Sequence, residues 1–351
     1  MASYEQTANK IANAQLVADI GGTHCNFGLV LPPMQGVQWI EKLKIADFPN
    51  VVAAVQSYLT TLAKQNDLSY IGISCACFAV ATWINGDHIV FTNSSWSFSI
   101  KQVEAALGLG DLQVINDFAA LALSLPNLTE NDLRMVSNHR FDAFKYEGTL
   151  AVVGPGTGLG VAGLMRVKIR KVGIRKVERK KPDHRWVALS SEGGHASLSG
   201  ANALEWEIIQ LVRNQYAHVS AERLLSGMGM PLLYQTIAQL NGVEVQDLTS
   251  PEIIVCGLDK SDVIADQTLD VFCAMLGGFC GNVVLTLGAA SGLFMGGGII
   301  GRLGERFFTS SFVQRFEAKG RYEAFLKSVP IALIMHPYPA LNGCVLAIEQ
   351  A

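Results

Sequence analysis

The chain has 351 residues, of which 50% are hydrophobic and 16% charged, with a formal net charge of -3. That length fills two domain cores, and the apolar share excludes a disordered chain. The slightly acidic balance argues against a general nucleic-acid binder, although ten of the 27 Lys and Arg residues fall between Arg166 and Arg185.

The first residues, MASYEQTANKIANAQ, lack the basic start and apolar core of a signal peptide, so nothing in them directs export. Strands are predicted over Gln15 to Asp19 and Asn26 to Leu31, joined by Gly21-Gly22-Thr23. A carboxylate at Asp19 beside backbone bare of Cβ atoms and a hydroxyl suits metal-bound phosphates, and an ordinary hairpin turn accounts for the segment equally well. Further strands are predicted at Gln38 to Ala46, Tyr70 to Val80, Asp87 to Thr92 and Gln113 to Ile115, with a helix over Phe48 to Gln65. After the strand ending at Ile115, Asn116-Asp117 opens a helix through Ala119 to Leu123. An Asp at the carboxyl end of a strand in an α/β protein sits where ligands bind, and capping the helix is its competing use.

A second series starts with strands at Thr149 to Val153 and Gly160 to Met165, flanking Gly154-Pro155-Gly156-Thr157-Gly158-Leu159-Gly160. This loop lacks the Gly-Lys-Ser/Thr of a Walker loop and the helix and distal acid of a dinucleotide fingerprint. Its backbone N–H groups and Thr157 hydroxyl still suit an anion. The basic segment follows as a protruding hairpin over 165–186, read first as a solvated face and second as a site for an acidic partner or membrane surface. A strand at Trp186 to Ser190 then leads into Glu192-Gly193-Gly194-His195, and Glu222 lies further on. Asn116, Asp117, Glu192, His195 and Glu222 together form a set of acceptors suited to neutral hydroxyls.

No charged residue occurs from Val271 to Gly301. Glycines interrupt this run, so a buried helix ending near Gly288 and a strand through Leu293, Phe294 and Met295 are predicted in place of a membrane span. Gly296-Gly297-Gly298 after that strand reads either as a tight helix entry or as bare backbone for a base or ribose. The seven cysteines are scattered through apolar surroundings, which fits reduced thiols in a cytoplasmic protein. A last helix over Ala340 to Ala351 is expected to pack back on the first domain. The two series share one outline of strand, glycine turn, strand and helices. The predicted class is therefore α/β, with a small domain of residues 14–118 plus 340–351 and a large domain of 119–339.

Seven blocks in order resemble the bacterial glucokinases of the sugar-kinase, actin and chaperone fold. They are Asp19-Ile-Gly-Gly-Thr23, Thr92-Asn93 with Trp96-Ser-Phe-Ser99, Ile115-Asn-Asp-Phe118, Gly156-Thr-Gly-Leu-Gly160, Glu192-Gly-Gly-His195, His218-Val-Ser-Ala-Glu-Arg223 with Leu225-Ser-Gly227, and Gly296-Gly-Gly298. The resemblance implies two domains of the actin-like ATPase (ribonuclease H-like) fold with an active-site cleft between them. It also implies ATP-dependent phosphorylation of the C6 hydroxyl of glucose, with Asp117 as general base and Asn116, Glu192, His195 and Glu222 on the sugar. Asp19, Gly21, Gly22 and Thr23 match the first phosphate loop, where Asp19 would meet Mg²⁺ through phosphate or water. Gly156, Thr157 and Gly158 match the second loop, and Gly296, Gly297 and Gly298 the adenosine wall. A cytoplasmic homodimer with no nucleic-acid or membrane partner is the family expectation. A kinase for another hexose or amino sugar, or a sugar-binding sensor, is the alternative.

Some positions depart from the family's pattern. Relatives carry Asn and then, two residues on, Arg after the first loop, where this chain has His24 and Asn26. A Pro-bearing turn of relatives near Cys77 is replaced by Phe78-Ala79-Val80-Ala81-Thr82-Trp83. The clustered cysteines of zinc-containing relatives do not follow His195, and too few residues precede the first strand here for a helix-turn-helix.

Overall fold

The computed structural model describes residues 10–33, 36–91, 94–144, 146–169 and 184–351. The tip of the basic hairpin, 170–183, and the Thr92-Asn93 pair lie outside the described residues. The chain divides into two units, one drawn from Met1–Leu128 and His336–Ala351 and the other from Thr129–Met335.

In the first unit, β1 (Lys10–Ile20), β2 (His24–Val30) and β3 (Gln38–Lys44) form an antiparallel meander, followed by α1 (Val51–Gln65) and β4 (Tyr70–Val80). The predicted strand over Gln38 to Ala46 ends earlier, in a short 3-10 turn at Ile45–Asp47. Helix α1 begins where Asn50 Oδ1 accepts the Ala53 N–H at 2.9 Å. Its buried residues Val51, Ala54, Val55, Tyr58 and Leu62 repeat at helical spacing and cover the sheet. Tyr58 stacks on Phe27 at 5.6 Å, and its hydroxyl donates to the Trp39 carbonyl at 2.8 Å, so the aromatic is buried with its polar end satisfied.

Among the described residues, strands β5 (His88–Val90) and β6 (Ser97–Ser99) pair only with each other, then α2 (Ile100–Leu107) leads to β7 (Leu112–Asn116) and α3 (Asp117–Ser124). The sheet order is β3-β2-β1-β4-β7, antiparallel up to β1 and parallel from β1 to β7.

The second unit repeats that plan. After the short β8 (Leu133–Met135), strands β9 (Leu150–Pro155), β10 (Leu159–Lys168) and β11 (His184–Ser191) form the meander. Helices α4 (Ala203–Arg213), α5 (Ala221–Leu224), α6 (Met230–Leu240), α7 (Ser250–Leu258) and α8 (Val263–Leu287) follow. Then come β12 (Leu293–Met295), α9 (Gly298–Leu303), α10 (Glu305–Thr309), α11 (Phe312–Glu317), α12 (Glu323–Lys327) and β13 (Ile331–Ile334). The order β11-β10-β9-β12-β13 reproduces the first sheet, with β8 added at the far edge. The repeated outline legible in the sequence is thus a repeated topology.

Helix α8 is long and apolar enough to cross a membrane, yet 78% of its most apolar window is buried inside the protein. Asp262 caps its start and Gly288, in the left-handed region at φ 62°, ends it as predicted. Buried Ala120 of α3 packs with Leu341, Cys344 and Val345 of the last helix, α13 (Pro339–Glu349), which places both helices in the first unit. The arms of the basic hairpin pair as far as Lys168 and His184, with Arg166 bonded to His184 at 2.9 Å.

Candidate active site

The first unit gathers the predicted acidic residues at one end of three parallel strands. Ile20, Val80 and Asn116 share a row across β1, β4 and β7, and Asp19 lies one row earlier. The glycine turn and Asp117 therefore leave the same sheet end two strands apart, about 10 Å. Asn116 is the N-cap of α3: its Oδ1 accepts the N–H groups of Phe118 and Ala119 at 2.9 and 3.2 Å. Asp117 is the first helical residue, and its Oδ1 also accepts the Phe118 N–H at 2.9 Å. The capping use expected as Asp117's competing role thus falls mainly to Asn116. Asp117 is held at a helix start, where the dipole favours a carboxylate.

The turn Gly21-Gly22-Thr23 closes with the Gly21 N–H on the His24 carbonyl at 3.0 Å. Neither glycine has a positive φ, so backbone geometry alone does not demand them. Asp19 is half-buried and stands opposite Asn26, whose amide donates to Oδ2 at 3.3 Å. Burial pushes the Asp19 carboxyl above its ordinary range, and the Asn26 bond offsets this in part.

The second unit brings together Glu192, His195 and Glu222. The turn after β11 places His195 Nε2 at 4.0 Å from Glu192 Oε2 and 3.7 Å from Glu222 Oε1. Gly194 is required there, because a Cβ would collide with the Leu159 carbonyl. Glu222 projects from α5, which Ser220 caps through the Arg223 N–H at 3.2 Å. Its Oε2 accepts the Leu159 N–H at 2.7 Å, so the acid is anchored on the second glycine loop.

That loop is held from two sides. The Gly156 N–H bonds the Gly158 carbonyl at 2.8 Å, while the N–H groups of Gly227 and Met228 bond the Gly156 and Thr157 carbonyls at 2.8 and 3.2 Å. Gly297 has φ 84°, and a Cβ on it would collide with the Pro155 carbonyl, which joins the third glycine segment to the second. Gly156 and Gly298 differ. Both have ordinary φ and open space where a Cβ would stand, so no contact among the described residues requires a glycine there.

Sequence reasoning assigned no role to Ser226 or Asn26. Ser226 is fully buried, donates to the Glu222 carbonyl at 2.8 Å and accepts the Gly229 N–H at 3.0 Å, so it fixes the segment that carries Glu222. Its Leu225-Ser226-Gly227 block was the available signal. Among the described residues no cluster of three His, Cys, Asp or Glu could hold a metal. Asp19, with Asn26 beside it, instead offers oxygen acceptors that fit Mg²⁺ which keeps waters and nucleotide phosphates as its ligands and meets the protein through them. A cavity of about 650 Å³ between Tyr234, Asn241 and Val263 contains none of these residues.

Two α/β units of one topology, each carrying a glycine hairpin between its first antiparallel strands, define an actin-like ATPase (ribonuclease H-like) fold of the sugar-kinase class. The glucokinase of an Antarctic psychrotroph has this fold at a TM-score of 0.80 and 32% identity, over 97% of this chain and 99% of that one. A glucokinase from Balamuthia mandrillaris, determined with glucose, shares the fold at a TM-score of 0.75 and 17% identity, over 97% and 94% of the two chains.

The family model for glucokinase matches residues 16–351. The glucokinase of Paramagnetospirillum magneticum is 40% identical over 328 residues, 93% of this chain and 95% of that protein. That of Neisseria gonorrhoeae is 39% identical over 343 residues, 97% of each. The chain belongs to the glucokinase family.

Proposed function

We propose that the protein transfers the γ-phosphoryl group of ATP to the C6 hydroxyl of D-glucose, giving glucose 6-phosphate and ADP. The single observation that carries this reading is Asp117, a carboxylate at the first position of α3, at the strand end that also bears the Asp19 loop. In this role Asp117 takes the proton of the C6 hydroxyl as that oxygen bonds to the γ-phosphorus and the bond to the β-phosphate bridging oxygen breaks.

Asn116, with Oδ1 committed to the helix cap, offers its amide nitrogen to a sugar oxygen. Glu192, His195 and Glu222 accept or donate to the remaining hydroxyls. Positioning of this kind lowers the barrier by holding the acceptor in line with the phosphorus. Gly21, Gly22 and Thr23 present one phosphate loop and Gly156, Thr157 and Gly158 the other, with backbone N–H groups toward developing charge. Gly296, Gly297 and Gly298 form the adenosine wall. Mg²⁺ bound with the nucleotide supplies charge neutralisation at the β- and γ-phosphates, and Asp19 is the residue set to hold its hydration shell.

The same reading takes the protein as a cytoplasmic homodimer, which light scattering after gel filtration checks by mass. The function is tested by ADP release from Mg-ATP across glucose, mannose, fructose and N-acetylated amino sugars. Release that is fastest with glucose supports it. Preference for an amino sugar transfers the assignment to that substrate, and sugar binding without ADP release makes the protein a sensor.

A further inference from the structure

Asn26 sits in the middle of a row across three strands, with Asp19 opposite it on β1 and Lys42 opposite it on β3. Its amide nitrogen donates to Asp19 Oδ2, while its Oδ1 is buried and receives no hydrogen bond from any described group. With Asp19 as a carboxylate this orientation is the favoured one, since the flipped amide would set two acceptors against each other. A buried acceptor left without a donor costs about 1–3 kcal/mol. Valine or threonine would suit a strand position better and carry no such penalty.

Asp19 has the matching deficit. Burial disfavours its charge, and among the described residues no Lys or Arg forms an ion pair with it. A carboxylate lacking a counter-charge and an amide oxygen lacking a donor stand side by side. A hydrated divalent cation answers both, with positive charge for one and a water O–H for the other.

We propose that Asn26 is a positioning residue for the divalent cation that accompanies the nucleotide: its N–H fixes Asp19, and its Oδ1 accepts a hydrogen bond from water in the cation's shell. This rests on the phosphoryl-transfer reading above. It makes Asn26 part of the phosphate loop in this chain, where family members carry a fixed cation.

The test is ADP binding by calorimetry to the whole protein without glucose, so that nothing turns over, at a series of Mg²⁺ concentrations from zero upward. Asn26→Leu removes both amide groups while keeping the branching at Cγ. It is expected to weaken the apparent Mg²⁺ affinity by roughly 10- to 100-fold, the usual effect of losing an outer-sphere partner. Glucose binding stays as in the wild type. Asn26→Asp keeps an oxygen acceptor and is expected to retain or strengthen the Mg²⁺ effect, which keeps the test open if the Leu variant does not fold. A Leu variant with wild-type Mg²⁺ dependence, or an Asp variant that loses it, overturns the proposal. Wild-type ADP binding that ignores Mg²⁺ also overturns it while leaving the kinase assignment to the sugar panel. No ADP binding at all removes that assignment as well.

Discussion

Glu222 Oε2 accepts the backbone N–H of Leu159 at 2.7 Å, which ties an acid proposed to hold sugar to the strand that leaves the second glycine loop. The other oxygen of the same carboxylate lies 3.7 Å from His195 Nε2. One side chain thus links the proposed sugar side of this unit to its phosphate side, and the two should respond together when it is removed.

That coupling separates Glu222 from Glu192. Glu222→Ala leaves the Leu159 N–H without its acceptor, so KM should rise for both glucose and ATP. Glu222→Gln keeps an acceptor for Leu159 and should raise KM for glucose alone, as should Glu192→Gln. Loss of one hydrogen bond to a charged group corresponds to about 1.5–3 kcal/mol, or roughly 10- to 100-fold in KM. Steady-state kinetics with each substrate varied distinguishes these patterns, and an ATP KM unmoved in Glu222→Ala would break the link.

The glycines make a sharper pair. Gly297→Ala forces a side chain onto a left-handed residue against the Pro155 carbonyl, so a destabilisation of at least about 1–3 kcal/mol and a lower Tm are expected. Gly298→Ala meets open space at the start of α9 and should leave Tm unchanged or slightly higher. If a nucleotide lies against that backbone, ATP KM still rises in Gly298→Ala while Tm does not fall. Melting curves beside ATP kinetics read both effects.

A pH test is available at the start of α8. Burial pushes the Asp262 carboxyl up, but hydrogen bonds from the Tyr234 hydroxyl and the N–H groups of Ala265 and Ile264 outweigh it and hold the carboxyl below its ordinary range. A depressed folded-state pKa gives stability that is present above the unfolded value, about 3.9, and lost as pH falls through the folded one. Asp262→Asn should therefore melt lower than the wild type between about pH 6 and 8, with the gap closing below about pH 4. A gap that stays constant with pH would show that the charge at Asp262 contributes nothing.

The sequence carried the strands, the long buried helix and the duplicated outline well, because each rests on local signals such as alternation, caps and glycine stops. Gly288 is an example, marking the end of a helix where the structure has one, whereas at α3 the cap expected of Asp117 falls to Asn116 one residue earlier. The sequence grouped Glu192, His195 and Glu222 as acceptors by residue type, and the family resemblance placed them on the sugar, but neither gave the geometry of their meeting. Their meeting depends on the Ser197–Ser220 bridge and the pairing around it, contacts that no local pattern announces. Ser226 and the orphaned oxygen of Asn26 were illegible for the same reason, since burial and missing partners are properties of packing.

The central claim is that Asp117 removes the C6 proton during phosphoryl transfer from ATP. The most direct measurement follows ¹³C-glucose with Mg-ATP by ³¹P and ¹³C NMR, for the wild type and Asp117→Ala side by side. The account predicts glucose 6-phosphate and ADP in equal amounts from the wild type. It also predicts a kcat lower by on the order of 10² to 10⁴ in the variant, with glucose binding affected much less. Near-normal turnover in Asp117→Ala, or a wild type that releases no ADP on addition of glucose, would contradict it.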